Sequence, residues 1–147
     1  MNGRFILRIV IVIGACAQVC ATVWAQDEHT GQSTGEHFGS VHFPISCSPD
    51  AQRQFDQAIA MLHSFFYPET VNAFSAIAQA EPSCAMAYWG VAISQRPNPL
   101  VPPFPREALR SGWEAIERAR STGAPTQRER DWIEALSGFF EHYDTLD

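Results

Sequence analysis

From Ser48 onward, apolar residues recur at intervals of three and four, the spacing that lines one face of a helix. In the first such stretch they are Ala51, Phe55, Ala58, Ile59, Leu62 and Phe66. Ser48 is placed as its N-cap, Pro49 fits the first helical position and Asp50 suits the positive helix end. The helix is expected to stop at Tyr67, because Pro68 follows. Pro68-Glu69 opens a second helix with Val71, Phe74, Ile77 and Ala78 on one stripe, ended by Glu81-Pro82. A third starts at Ser83 or Cys84, carries Ala85, Tyr88, Trp89 and Ala92 on one face, and stops before Arg96-Pro97. Residues 97–105 hold five prolines in nine positions, which excludes helix and strand. A fourth helix is predicted from Arg106 to Ser121, with Leu109, Trp113, Ile116 and Ala119 on its stripe and Gly123 at its end. Thr126-Gln127-Arg128-Glu129 reads as a capping box. It opens a fifth helix whose face is Trp132, Ile133, Leu136, Phe139, Phe140 and Tyr143. No strand pattern competes, so the fold class is all-α, and the amphipathic stripes require the helices to pack on one another.

The chain before Ser48 reads differently. Residues 1–25 have a basic start at Arg4 and Arg8, an apolar run and the ending Val23-Trp24-Ala25, the form of a cleavable secretory leader. Two alternatives stay open, both of which also export the domain. One is an uncleaved membrane anchor; the other is a lipoprotein in which Cys16 of Ile13-Gly14-Ala15-Cys16 is acylated. Residues 26–47 form a flexible tether and an extended lead-in. The tether, 26–40, is polar and Gly-rich with two similar tetrads, Glu28-His29-Thr30-Gly31 and Glu36-His37-Phe38-Gly39. In the lead-in, Val41 to Ile45 is a short extended stretch, since Pro44 keeps Phe43 out of the helical region. The domain proper is 48–147, with 97–105 as a Pro-rich insertion.

Composition narrows the function classes. The chain has 147 residues, a net charge of −6, ten Arg and no Lys. Removing Arg4 and Arg8 with the leader leaves eight bases against sixteen acids, the wrong sign for a nucleic-acid footprint. The leader also removes Cys16 and Cys20. Cys47 and Cys84 remain, either as two buried thiols or as a disulfide, which an oxidising compartment favours.

Pairing the helices exposes a repeat. Residues 51–82 and 85–125 each hold helix, turn, helix and proline. Tyr67 precedes the second helix, Phe74 follows seven residues on, and Pro82 eight further. This pattern resembles the tetratricopeptide repeat (TPR), and Ala85-Met86-Ala87-Tyr88-Trp89-Gly90-Val91-Ala92 is similar to helix A of a second repeat. Thr70 and Ile77 depart from it, standing where Ala is usual. The strings HFPISCSP, LHSFFYPE and CAMAYWGVA resemble a subgroup of exported bacterial TPR proteins, mostly of unassigned function. The resemblance implies a TPR-like antiparallel helix-pair array in which consecutive A helices lie side by side. The starts of the first and second A helices are then neighbours, so Cys47 and Cys84 are expected to be bridged, with Cα atoms within about 7 Å. Residues 126–143 resemble a third A helix without a partner B helix. The chain is therefore expected to be the N-terminal part of a longer array, truncated at its C-terminal end, or to have that end covered by a partner or a second copy.

No residue pattern writes a reaction, and the protein is expected not to be an enzyme. There is no Cys-x-x-Cys-His, no His-Glu-x-x-His, no phosphate-binding loop and no nucleophile elbow. His29, His37 and His42 lie in or beside the tether at spacings that match no metal motif. His63 is read as a buried, hydrogen-bonded histidine on the core side of the first helix, with ligand binding as the sharper alternative. His42 and His63 are the weak metal candidates, and no cofactor is expected. Glu114, Glu117 and Arg118, and the charges from Arg128 to Glu134, are read as solvated helix faces. Tyr88, Trp89, Trp113 and Trp132 are read as mostly core. His63, Tyr67, Tyr88, Trp89 and Trp113 are the candidates for lining a concave groove. The expected role is a protein- or peptide-binding scaffold in the cell envelope, periplasmic or extracellular. The partner is a protein or peptide, not nucleic acid, and a membrane enters only if the leader is uncleaved or Cys16 is lipidated. The alternative is a metal- or cofactor-binding or enzymatic protein whose site is completed by further C-terminal repeats.

Overall fold

A computed structural model describes residues 39–96, 98, 100 and 103–145. The leader, Cys16, Cys20, His29, His37 and most of the tether lie outside the described residues. Those described form five helices and no strand: α1 (Pro49–His63), α2 (Tyr67–Ala80), α3 (Ala85–Ser94), α4 (Arg106–Thr122) and α5 (Gln127–Phe140). None is long and apolar enough to cross a membrane.

The helix starts follow the sequence chemistry. The Ser48 hydroxyl accepts from the Ala51 N–H at 3.2 Å. At α5 the Thr126 hydroxyl accepts from the Glu129 N–H while the Glu129 carboxylate accepts from the Thr126 N–H, closing the capping box. Gly123 ends α4 with φ +79°, a backbone region that glycine enters freely.

The end of α1 is a correction. It stops at His63, four residues before the expected Tyr67, which instead begins α2. The stop is not made by Pro68. Phe65 adopts φ +64°, its N–H donates to the Leu62 carbonyl, and the Phe66 N–H donates to the Met61 carbonyl. Those two bonds are the Schellman pattern that usually carries glycine at this position. Without a glycine to mark it, the stop was invisible in the residue types.

Packing is sequential. The helix α3 lies against both α1 and α2, and α5 lies against both α3 and α4. One core runs through all five helices, from Phe55 and Ile59 through Phe74, Met86 and Trp89 to Ile116, Ile133 and Phe140. Phe55, Phe74 and Phe140 are fully buried, each contributing roughly 1.5–3 kcal/mol of apolar burial. Close approach is bought by Gly90, where an added Cβ would collide with the Phe74 ring. Thr70, which departs from the small residue usual in the resemblance, is buried with its hydroxyl donating to the Phe66 carbonyl at 2.6 Å. The face of α5 is mostly covered: Phe140 is buried and Phe139 partly so, while Trp132 stays 42% exposed; Tyr143, expected on the same face, lies beyond the helix end at Phe140 and is partly buried.

Candidate functional site

The lead-in crosses α1, α3 and α5 as extended chain over 41–45 and bends at Ser46 and Cys47. An extended backbone points successive side chains to opposite faces. Val41, Phe43, Ile45 and Cys47 accordingly pack against the core, while His42, Pro44 and Ser46 face outward. The Phe43 ring is the centre of the contact. Its centroid lies 5.7 Å from Phe55 of α1, 5.6 Å from Trp89 of α3 in a stacked arrangement, and 5.5 Å from Trp132 of α5. The Arg128 guanidinium sits 4.5 Å from the same centroid, a cation–π distance. Trp89 and Trp132 meet edge to face at 5.8 Å, and the Trp89 indole N–H donates to the Trp132 carbonyl at 3.1 Å.

Polar groups hold the strand from both edges. On the α1 side, the Phe43 N–H donates to Asp56 Oδ1 at 2.9 Å. The Gln52 carboxamide then spans two residues: its Nε2 donates to the Phe43 carbonyl at 2.9 Å and its Oε1 accepts from the Ile45 N–H at 2.8 Å. Gln52 Nε2 also donates to Asp56 Oδ1 at 2.8 Å, tying the two clamps together. On the α5 side, Arg128 donates to the Pro44 carbonyl at 2.7 Å, and Glu129 Oε1 accepts from the Ser46 N–H at 2.5 Å. Alternate residues of an extended chain aim their backbone groups at opposite edges, and the partners respect that order. Pro44 has no N–H to satisfy on its edge.

Glu129 is the electrostatic anchor. It is 2% exposed, so burial resists its ionisation. The donors from Ser46 and Thr126 outweigh that resistance and hold its carboxyl below the ordinary glutamate range. The expectation of solvated charges from Arg128 to Glu134 is therefore corrected at Glu129, which is buried; Arg128 stays exposed while lying over the Phe43 ring. Glu134 does remain exposed and pairs with Arg120 of α4 at 2.6 Å. The hydrogen bond to Arg120 lowers the pKa of Glu134, and the bond to Glu134 raises that of Arg120.

The far end of the strand is covalent. Cys47 and Cys84 form a disulfide with Cα atoms 5.5 Å apart, inside the expected bound, joining the lead-in to the start of α3. Beside it, the Ser48 N–H donates to the Glu81 carboxylate at 3.1 Å.

The groove candidates read from the sequence do not converge. Of the five, only Trp89 belongs to the Phe43 cluster. Tyr67 begins α2 and meets Phe65 at 6.2 Å. Tyr88 donates its hydroxyl to the Pro82 carbonyl at 3.3 Å and carries Arg118 over its ring at 5.6 Å. Trp113 has Arg120 over its ring at 5.9 Å. His63 is exposed, which overturns its reading as a buried histidine. It is the last residue of α1 and lies about 80° around the helix from Phe55, at the margin of the stripe. His42 Nδ1 lies 3.0 Å from Asp56 Oδ2, and Asp56 is separated from His63 by roughly 10 Å along α1. The two metal candidates are thus not brought together, and the described residues contain no group of three His, Cys, Asp or Glu placed to hold a metal.

Sequence reasoning missed Phe43, Gln52, Asp56, Arg128 and Glu129 as one assembly. The available signal was the alternation of Val41, Phe43, Ile45 and Cys47, an apolar stripe at period two next to helices of period 3.6. Compared with protein-family models, curated proteins and solved structures, the chain matches none.

Proposed function

We propose that this protein is an exported, TPR-like scaffold that holds an extended peptide across its first, second and third A helices. The observation that carries the reading is the two-edged clamp. Side chains of α1 and α5 take up the backbone groups of a strand, while Phe55, Trp89 and Trp132 form the floor for one aromatic side chain. Backbone-directed bonds supply affinity for any extended chain, and a pocket for alternate side chains supplies selectivity. The packing of α3 on α1 and α2, and of α5 on α3 and α4, supports the repeat assignment, with α1, α3 and α5 as A helices and α2 and α4 as B helices. The Cys47–Cys84 bond is consistent with an oxidising compartment.

The ring pocket between Phe55, Trp89 and Trp132 is filled here by Phe43, so the test must empty that pocket. A Phe43→Ala chain, with its helical circular dichroism intact, is panned against a library of unstructured peptides. Enrichment of peptides that lose binding on Trp132→Ala is the expected result. A folded Phe43→Ala chain that enriches nothing overturns the reading.

A further inference from the structure

We infer that residues 41–47 are a resident copy of the ligand pattern: the groove accepts, from another polypeptide, an extended segment of the form aliphatic–x–aromatic–Pro–aliphatic, and the Cys47–Cys84 bond biases the groove toward its own copy. This rests on the peptide-holding reading above and adds the sequence class of the peptide and the element that competes with it.

The pattern is read position by position. The third residue needs an aromatic ring, because three rings and a guanidinium surround Phe43 within 5.7 Å. The flanking aliphatic positions, Val41 and Ile45, lie on the inner face and pack against the core. The second position faces outward, and its imidazole reaches Asp56. The fourth position favours proline. Its carbonyl is used by Arg128, and proline fixes the extended backbone in advance, which reduces the ordering cost of binding. Ser46, after the pattern, contributes a backbone N–H that any residue except proline supplies. The receptor half consists of Gln52, Phe55, Asp56, Trp89, Arg128, Glu129 and Trp132. It lies wholly on helices, so removing the strand's ring leaves the receiving groups in place.

Competition follows from connectivity. The lead-in is contiguous with α1 at Ser48, and its Cys47 is bonded to the start of α3. Such a tether keeps the local concentration of the resident strand high. The apparent affinity for an incoming peptide is then the intrinsic affinity reduced by the fraction of molecules whose groove is open.

The test uses a fluorescein-labelled peptide Ser-Val-His-Phe-Pro-Ile-Ser, the sequence of residues 40–46, and fluorescence anisotropy on the full chain. The expected result is binding to Phe43→Ala at least about tenfold tighter than to the oxidised wild type. The Cys47→Ser/Cys84→Ser chain is expected to fall between them. A peptide with Ala in place of its Phe is expected to lose binding, and Trp132→Ala in the Phe43→Ala background to abolish it. Equal binding of the Ala-substituted peptide overturns the inferred pattern while leaving peptide holding intact. A folded Phe43→Ala chain that binds library peptides but not this one does the same. If Phe43→Ala loses its helical spectrum, the cysteine double variant decides: no gain over wild type overturns the competition. A wild-type chain that dimerises in light scattering by exchanging its lead-in also overturns the inference, making a second copy the partner.

Discussion

The lead-in and the described residues of the 97–105 loop (98, 100 and 103–105) have similar raw material and different fates. The lead-in and the 97–105 loop are both proline-bearing and both carry aliphatic residues and one phenylalanine. In the lead-in every inward side chain packs on the core and backbone groups are taken up from both edges. In the loop, Leu100 is 86% exposed and its N–H turns back to the Asn98 side chain at 3.0 Å, while Phe104 alone among its described residues packs against the core. The difference lies in the helices around them. The lead-in runs past Gln52, Asp56, Arg128 and Glu129, which offer donors and acceptors at strand spacing. Apolar content sets what an extended segment gains by docking. Available hydrogen-bond partners decide whether its backbone can leave water at all.

The largest expected effect tests the covalent end of this contrast. Replacing both Cys47 and Cys84 with Ser opens a cross-link between residues 37 apart and is expected to cost about 4 kcal/mol, read by urea denaturation. A loss well under half that figure would mean the clamps alone hold the lead-in. Next is Phe43→Ala. It removes a ring from a site walled by Phe55, Trp89 and Trp132, and about 3 kcal/mol is expected, the low end for a phenylalanine because Phe43 is only partly buried. Phe104→Ala provides the matched comparison and is expected to cost less, since no ring stack among the described residues surrounds it.

Glu129→Gln removes charge from the buried acceptor while keeping its shape. A loss of about 1.5–3 kcal/mol is expected, as for a hydrogen bond to a charged group. The pH dependence has a definite sign. The folded-state pKa of Glu129 is lowered, so its stabilising contribution is fully present above the ordinary glutamate value and is lost as pH falls through the lowered one. Wild type minus Glu129→Gln, measured by urea unfolding, should therefore shrink between neutral pH and pH about 3. A difference that stays constant would show that the Ser46 contact does not depend on charge.

How much of this was legible follows from where the signals sit. Helix positions came from local chemistry: Ser48, Pro49, Thr126 and Glu129 specify starts whatever lies around them. The cysteine pairing came from repeat logic and the geometry agrees with it. The clamp was illegible because its parts are 83 residues apart for Ser46 and Glu129, and a capping-box glutamate reads as fully used by its own helix. His63 was misplaced because a helix face was extended to a residue that the Schellman turn leaves at the rim. Phe65, in that turn, is an exposed apolar position, 76% accessible. Its left-handed backbone costs about 1–2 kcal/mol for an ordinary side chain, and asparagine tolerates it better. Phe65→Asn is expected to stabilise by up to about 1 kcal/mol in thermal melts; destabilisation would show that the Phe65–Tyr67 contact outweighs the backbone strain.

The smallest expected effect is at Leu100, and its smallness is the point. A leucine at 86% exposure has almost no burial to lose, and its only described backbone partner is the Asn98 side chain. Leu100→Ser is expected to change stability by no more than about 0.5 kcal/mol, the range of ordinary surface substitutions. The parallel change Ile45→Ser, on an inward position of the lead-in, should exceed it severalfold, because Ile45 packs on the core and its N–H is bound to Gln52. If the two substitutions cost the same, the two crossings are equivalent in solution and the clamp does not order its strand. If Ile45→Ser alone is costly, the helices discriminate between two proline-bearing segments of similar composition by the polar groups they place alongside.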